Sequence, residues 1–234
     1  MAVLRPLSLA DVRKPLGEQV YNLIREAIVS LRLEPGRMVY ENELAASLGV
    51  SRTPVREAIR SLTGEELLEV LPQRGTRVAY ISERKVLETQ HVRLLLELGA
   101  FRIAARTWND GDRTTARAEL ERLLEEQRMA AGAGDIDGFL RLDEAFHRVV
   151  LGLAGNATLL GVVYYMRAHL NRFRYLAVRE YKSMHRVAEE HERLFEAIRA
   201  GDEERTAGLL EEHLGGIRRE VPELRRIYPD YFID

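Results

Sequence analysis

Residues 49–60 read GVSRTPVREAIR, and this stretch determines the expected fold of the N-terminal third of the chain. Ser51 is a residue type that favours the N-cap of a helix, and Pro54 falls in the first turn, where its missing N–H has no intrahelical partner. We therefore expect a helix that begins at about Ser51. Its apolar residues recur at i, i+3, i+4 and i+7 and form one face. Three cations follow one another at i+4 on another face: Arg52, Arg56 and Arg60.

A shorter helix is predicted directly upstream. Residues 43–48, ELAASL, are amphipathic, and Gly49 after them can adopt the left-handed conformation that a sharp turn into the next helix requires. Before that, apolar residues keep helical spacing from about Leu16 until Pro35 and Gly36 interrupt them. This spacing is that of a helix-turn-helix unit with a supporting first helix.

A β-hairpin is predicted after these helices. Residues 68–71 and 77–80 alternate apolar and polar side chains on either side of residues 72–76, PQRGT. Arg74 beside Gly75 gives this wing a cationic tip that is able to approach a DNA backbone or minor groove. A winged helix-turn-helix domain is therefore expected over residues 16–81.

The order of these features favours DNA binding. Arginines at a helix N-terminus reach phosphates or the guanine edge in the major groove. On an isolated helix, three arginines at i+4 would more often be only a solvated face. Here the turn glycine, the cap, the arginine stripe and the basic hairpin tip occur in one order within about 40 residues, and this context reverses that interpretation.

Composition places the DNA affinity in a local patch. The chain has 234 residues, 46% of them hydrophobic, and a formal net charge of -2, so the protein as a whole does not attract nucleic acid. It has no cysteine, which excludes disulfides and thiolate metal sites. Its N-terminus lacks the apolar core of a signal peptide and no apolar run reaches membrane-spanning length, so a cytoplasmic protein is expected.

The second half is predicted to be all-helical. Ser82 is placed to cap a long helix that extends to about Thr107, and polar or glycine-containing breaks divide this half into about six or seven helices without strand-like alternation. We expect a flexible arm over residues 1–15, an all-helical domain over residues 82–228, and a loosely packed tail over residues 229–234. The fold class is mainly α.

Polar groups occur on apolar helix faces in this half. Asp143 and His147 are four residues apart and share a face with phenylalanine and leucine side chains, and His191 and His213 lie on apolar faces of two other helices. Any one of them is more often a hydrogen-bonded core residue. Together they form a carboxylate–imidazole donor set, and a divalent cation would offset the cost of burying the carboxylate. Zinc is expected first, with nickel, manganese or iron as alternatives.

The N-terminal motifs resemble those of GntR-family winged-helix regulators. The matching pieces are LEPG at residues 33–36, ENELA at 41–45 and GVSRTPVREA at 49–58. Asn42 stands where the family usually has an arginine, and Glu66 stands where it usually has a glycine that caps a helix. The resemblance and the charge pattern together predict the DNA-contacting residues: Asn42, Ser51, Arg52, Thr53, Arg56, Arg60, Arg74, Gly75 and Thr76.

The helical half resembles the FCD ligand-binding domain of the FadR branch of this family. The matching pieces include RLLLE at residues 93–97, LDEAFH at 142–147 and AIRAGD at 197–202. The resemblance implies that Asp143, His147, His191 and His213 hold a metal, and that Arg93 grips the carboxylate of a small organic acid effector. For Arg93, an intrahelical pair with Glu97 is an equally good interpretation. His91, His169 and His185 show no such spacing and are expected to be structural.

These inferences favour a homodimeric transcription regulator, expected to be a repressor, that binds a palindromic operator in double-stranded DNA. A metal-dependent hydrolase is an alternative, because a metal with open coordination positions activates water. No spare carboxylate or histidine is spaced to act as its general base. A metal sensor without an organic effector is a third interpretation.

Overall fold

The N-terminal part of the chain, which we call the head, consists of three helices and a three-stranded antiparallel sheet. The computed structural model describes residues 15–234, so the predicted arm lies outside the described residues except for Pro15. The sheet has the order β1-β3-β2, and pairing of Leu71 with Gly75 closes the predicted wing. The head elements are α1 (Leu16–Val29), β1 (Met38–Val39), α2 (Glu41–Leu48), α3 (Arg52–Gly64), β2 (Leu68–Leu71) and β3 (Gly75–Val78).

The turn into α3 forms as the sequence predicts, except for the cap. Gly49 has φ +70°, in the left-handed region, and Ser51 has extended backbone at the N-cap. Within the described chain the Ser51 side chain accepts no capping hydrogen bond from α3. Pro54 explains this, because it occupies the third helical position and lacks one of the two N–H groups that an N-cap side chain normally bonds.

Helix α3 ends just before Glu66, the residue that stands where the family usually has a glycine. Glu66 has φ +57°, a left-handed conformation that glycine adopts without steric cost. Its N–H donates to the carbonyl of Thr63, and the N–H of Leu67 donates to the carbonyl of Leu62 over 2.9 Å. The side chain of Glu66 forms an ion pair with Lys85 in the following helix. The sequence predicted an altered helix C-cap at this position. The structure shows a glutamate with positive φ where the family usually has a glycine.

Seven helices follow in the described chain and form the part that we call the body. Ser82 caps the first of them by accepting a hydrogen bond from the N–H of Lys85 over 3.1 Å, as predicted. Asp135, Asn156 and Asp202 cap three others in the same way. The helices are α4 (Glu83–Arg106), α5 (Thr114–Ala133), α6 (Ile136–Leu153), α7 (Ala157–Tyr181), α8 (Met184–Arg199), α9 (Glu203–Gly215) and α10 (Ile217–Ile227).

The C-terminal segment is not the loosely packed tail that the sequence suggested. After a short 3-10 helix (Pro229–Tyr231), strand β5 (Phe232–Ile233) pairs in parallel with β4 (Ile81–Ser82). Phe232 is buried in a cluster with Ile81 and Val86. Of this short pair, Ser82 alone lies within the predicted helical domain, residues 82–228. The apolar side chain of Phe232 drives the docking, because it removes an aromatic surface from water.

Helix α7 lies between the head and the rest of the body. It packs against α1 on one side and against α4 and α6 on the other. Ala168 of α7 belongs to the same buried cluster as Val20, Ile24 and Leu62 of the head. No helix in the described region is long and apolar enough to cross a membrane.

Candidate nucleic-acid interface and metal centre

The predicted DNA-contacting side chains lie on the surface of the head. Helix α3 buries its apolar face, which includes Val55, Ile59 and Leu62, and this leaves the arginine face in solvent. Thr76 is the one predicted residue that is half-buried, because it pairs with β1 and β2 at the centre of the sheet. The exposed ones are Asn42, Ser51, Arg52, Thr53, Arg56, Arg60, Arg74 and Gly75.

An acidic residue that sequence reasoning missed connects two of these arginines. Both Arg52 and Arg56 donate to the carboxylate of Glu41, with NH2···Oε2 distances of 3.3 and 3.0 Å. Glu41 begins α2, and its pKa is lowered by the hydrogen bond from Arg56, so it is ionised at neutral pH. The pairing holds both guanidinium groups near one point of the surface, where they are exposed to solvent.

The wing tip lies next to the start of α2. Val39 pairs with Thr76, and a side chain at Gly75 would come within 3.4 Å of the ring of Tyr40 and 3.2 Å of Met38. This close approach and a φ of +108° both favour glycine at position 75. The structure therefore brings the wing and the paired arginines of α3 to the two ends of one short segment, residues 39–41.

Two cations of the predicted basic cluster differ in their surroundings. Arg77 donates to Glu69 over 2.8 Å and lies 4.8 Å from the ring centroid of Tyr80, so it is committed to contacts within the head. Arg60 and Arg74, by contrast, form no ion pair with any residue from 15 to 234 and remain exposed. The free cationic surface therefore comes from α3 and from the tip of the wing.

The four predicted metal ligands meet in the core of the body. One donor atom from each of Asp143, His147, His191 and His213 lies within 4.8 Å of the others. The first three residues are fully buried, and the side chain of His213 is only 5% exposed. Helix α6 supplies the aspartate and the first histidine from adjacent turns of one face, and α8 and α9 supply one histidine each.

Each of the three imidazoles is oriented by a hydrogen bond at its outer nitrogen. The Nδ1 atoms of His147, His191 and His213 lie 2.7 Å from an oxygen of a different residue in each case. This leaves the Nε2 atoms directed at the centre, which is the usual arrangement of metal-bound histidines. Sequence reasoning missed these outer partners, although one of them directly precedes His191. They are Glu97, Gln127 and Glu190.

Two of the residues at the centre have donor atoms that form no hydrogen bond. Within the part of the chain that the structure describes, neither carboxylate oxygen of Asp143 accepts a hydrogen bond, and Nε2 of His191 makes none. The guanidinium of Arg174 lies 2.6 Å from Oδ2 of Asp143, an ion pair without hydrogen-bond geometry. Buried polar atoms in this state are unfavourable unless something binds them, and a cation at the centre would do so.

The protonation states suit a cation. Burial raises the pKa of Asp143, but the opposing charges of its neighbours, Arg174 foremost, hold that pKa well below its ordinary value. Burial lowers the pKa of His147 to about 4 and places the pKa of His191 well below its ordinary value. At neutral pH these groups are therefore a carboxylate and neutral imidazoles, the forms that bind a divalent metal.

Arg93 forms the intrahelical pair that the sequence suggested and keeps a second donor group unpaired. Its Nε donates to Glu97 over 2.7 Å, the predicted intrahelical pair. Its NH2 group is buried and has no partner among the described residues, and Arg93 also lines a cavity of about 60 Å³ next to the centre. Arg174, His213 and Glu190 line the same cavity. The guanidinium is thus anchored at one nitrogen and free at another.

The remaining histidines divide into two groups. His91 and His185 are exposed, as expected for residues without a role in the core. Nε2 of His169 lies 2.9 Å from the backbone carbonyl of Glu65 in the head, and its Nδ1 lies 3.3 Å from Arg172. His169 therefore contributes a contact between head and body, which its position in the sequence did not indicate.

Comparison with known proteins covers both halves of the chain. The family "Bacterial regulatory proteins, gntR family" matches residues 16–78, and the FCD domain matches residues 88–216. The chain is 32% identical to an uncharacterized HTH-type transcriptional regulator of Streptomyces ambofaciens, over 91% of this chain and 88% of the relative. It is 28% identical to the HTH-type transcriptional repressor RspR of Escherichia coli, over 94% of each.

A solved structure has the same fold. The chain superposes on E. coli McbR/YncC with a TM-score of 0.74 and 25% identity, covering 92% of this chain and 99% of the other. The domains and relatives indicate a transcriptional regulator and not an enzyme, which removes the hydrolase alternative. With a winged helix-turn-helix head and an FCD body, the chain belongs to the GntR family of bacterial transcriptional regulators.

Proposed function

We propose that this regulator is a repressor whose body binds a divalent metal and a small organic acid, and that the acid changes its affinity for operator DNA. One observation carries the proposal. The three histidines and Asp143 direct their donor atoms at one buried centre, and an unpartnered NH2 of Arg93 lies beside it in a small cavity. The relative RspR is named a transcriptional repressor, which supports repression rather than activation.

The charge of the centre favours an anionic ligand. A divalent cation with one aspartate keeps a net charge of +1, and the guanidinium groups of Arg93 and Arg174 line the cavity together with the carboxyl groups of Glu190 and Glu220. An octahedral metal with four protein ligands keeps two positions open, which a carboxylate with an adjacent hydroxyl or keto oxygen would fill. The arginine would bind such an acid through its two nitrogens. Zinc is our first candidate, ahead of nickel, manganese and iron.

A metal sensor without an organic effector is less well supported. The three outer residues already fix the imidazoles, so a metal signal would require neither the cavity nor the free NH2 of Arg93. A buried guanidinium with an unused donor is costly to maintain. Its presence next to an opening is explained by a ligand that accepts a hydrogen bond there.

The DNA contact is proposed to run through a homodimer. Arg52 and Arg56 at the start of α3 would read base edges in the major groove, and Arg74 at the wing tip would contact the backbone or minor groove. A dimer would place two heads on the halves of a palindromic operator about 34 Å apart. Helices α4 and α7 pack together and expose Leu95 and Tyr165 by 59% and 76%, an apolar surface suited to a second copy.

Thermal unfolding with added ligands tests the proposal. The full chain is stripped of metal with a chelator, and its Tm is measured alone, with Zn²⁺, and with Zn²⁺ plus each acid of a panel that includes glycolate, malate and gluconate. A ligand that binds only the folded protein raises its stability. We expect a shift with Zn²⁺ that is lost in the His147→Gln variant, and a further shift with one acid class that is lost in the Arg93→Met variant. If neither metal nor acid shifts the Tm, the four residues are a structural polar cluster.

A further inference from the structure

We propose that helix α7 is the element that carries effector binding to the DNA-binding head, with Arg174 as its contact at the metal centre and Arg172 as its contact at the head. The inference rests on the proposed function, because it names how that site acts on DNA binding. Its evidence is the set of contacts made by four residues of one helix: Arg167, His169, Arg172 and Arg174.

At the metal centre, α7 contributes two cations, the buried Arg167 and Arg174, whose side chain is 12% exposed. Arg174 lies 2.6 Å from Oδ2 of Asp143 and lines the cavity beside Arg93. Arg167 donates to Glu97 over 3.3 Å, and its Nε and Nη1 groups form no hydrogen bond within residues 15–234. An anion that enters the cavity therefore meets Arg174 directly, and it competes with Asp143 for that guanidinium.

At the head, α7 holds the segment that joins head and body. The guanidinium of Arg172 is fully buried and donates to the backbone carbonyls of Ala79 and Tyr80 over 2.5 and 3.2 Å. His169, one turn earlier, contacts the carbonyl of Glu65 at the end of α3. The same helix thus binds both the C-terminal end of the DNA-reading helix and the segment that follows the wing.

The geometry of a helix couples these two ends. Arg172 and Arg174 are two residues apart, so their side chains leave α7 about 200° apart and point to opposite sides. The helix is rigid between them, and the neighbouring Ala168 is packed into the core of the head. A small rotation or tilt of α7 that re-pairs Arg174 with an effector must therefore also move Arg172 against its two carbonyl acceptors.

The coupling is expected to have two states. A buried guanidinium loses much stabilisation if its acceptors are only partly reached, so Arg172 either keeps both carbonyls or finds other partners. The effector shifts this equilibrium only by the difference in its affinity for the two arrangements of Arg174. The consequence at the DNA is a changed disposition of α3 and the wing relative to the body.

The test compares the response to ligands in wild type and in Arg172→Met, which keeps a long side chain but removes the donors. Operator affinity is measured by fluorescence anisotropy, with full-length protein and a duplex selected from random DNA by the wild type. Ligands are Zn²⁺ alone and Zn²⁺ with glycolate, malate or gluconate. Arg179→Met is the matched control, since Arg179 lies on the same helix and contacts Tyr228 and Tyr231 of the C-terminal segment.

We expect at least one ligand to change the operator Kd of the wild type and of Arg179→Met by about fivefold or more. In Arg172→Met the same ligand should still raise the Tm, because the metal centre is intact, but should change the operator Kd less than about twofold. Amide exchange of peptides that cover residues 62–67 and 77–82 should respond to the ligand in wild type only.

The outcomes separate the two proposals. A ligand response in Arg172→Met as large as in wild type would overturn the role of α7 and leave the effector function standing. If ligands shift neither the Tm nor the operator Kd of the wild type, the proposed function itself fails. Should Arg172→Met not fold, His169→Gln is used instead, with a reduced response in support and an unchanged response against.

Discussion

The Nε2 atoms of His147 and His213 face each other at 3.3 Å across the buried centre. Both rings have a carboxylate at Nδ1, Glu97 and Glu190, and the pKa of each carboxyl is lowered even though burial opposes it. The Nδ1–H groups are therefore donors, which turns the two Nε2 atoms toward one another. A cation between them would be bound by both Nε2 atoms.

Removing a ligand of this centre should release the metal. We expect the wild type to bind one divalent ion per chain and the His147→Gln and His213→Gln variants to bind it at least about tenfold more weakly. Metal content by elemental analysis after equilibrium dialysis measures this. Metal at about 100 times its Kd should stabilise the wild type by about 2.7 kcal/mol. His185→Gln, at an exposed histidine, is the control. Equal metal content in all variants would contradict the assignment.

Truncating the paired arginines of α3 should weaken operator binding. Arg52→Ala and Arg56→Ala are each expected to cost about 1–3 kcal/mol per lost base contact. Because Glu41 holds both guanidinium groups, the double variant should cost less than the sum of the two single variants. Arg84→Ala is the control, since Arg84 is an exposed arginine on α4 paired with Glu88. Unchanged affinity in both single variants would remove α3 from the interface.

Replacing Glu66 by glycine should stabilise the protein. The residue is held at φ +57°, and glycine removes the strain of this conformation, about 1 kcal/mol. The lost ion pair with Lys85 is on the surface and offsets only part of this gain. Glu66→Ala loses the same ion pair and keeps the strain, so it should be less stable than Glu66→Gly. Urea unfolding of the wild type and the two variants gives the order of their free energies of unfolding. Equal stability of Glu66→Ala and Glu66→Gly would exclude strain as the cause.

Shortening Phe232 should destabilise the chain although it is the third residue from the C-terminus. Its ring is 9% exposed and packs with Ile81, so Phe232→Ala is expected to cost about 2–4 kcal/mol. Ile233→Ala is the matched control, because Ile233 is 53% exposed on the same strand and should cost less than about 0.5 kcal/mol. Both are compared by urea unfolding. If Phe232→Ala and Ile233→Ala lower the free energy of unfolding by similar amounts, the C-terminal segment is loosely packed.

The contact of His169 with the head should make stability depend on pH. Burial, and after it the charge of Arg172, lowers the pKa of His169 to about 4 from an ordinary 6.5. Between these values the unfolded chain binds more protons than the folded one, so this contribution is complete above pH 6.5 and is lost as the pH falls toward 4. Relative to His169→Gln, the wild type should lose about 1–2 kcal/mol over this range. Urea unfolding of metal-stripped protein at several pH values measures this. If the free energies of unfolding of the wild type and His169→Gln change with pH in parallel, this role of His169 is contradicted.

The sequence by itself determined most of the helices, the wing and the candidate residues of both sites. Helical periodicity, the glycine at position 49 and the hairpin residues at 72–76 are local signals, and each depends on a few neighbouring residues. The same is true of the i, i+4 spacing that places Asp143 and His147 on one face. Such features fix backbone conformation and side-chain direction within a turn or two, so they are readable without the fold.

Only the tertiary structure decided which partners these residues meet. Glu97 and His147 are 50 residues apart, Gln127 and His191 are 64 apart, and Arg172 meets a carbonyl 93 residues away. No periodicity links such pairs, because their proximity follows from the packing of separate helices. The docking of Phe232 was missed for the same reason. A short apolar segment has no local signal for the distant strand that covers it, and burial against that strand decides its conformation.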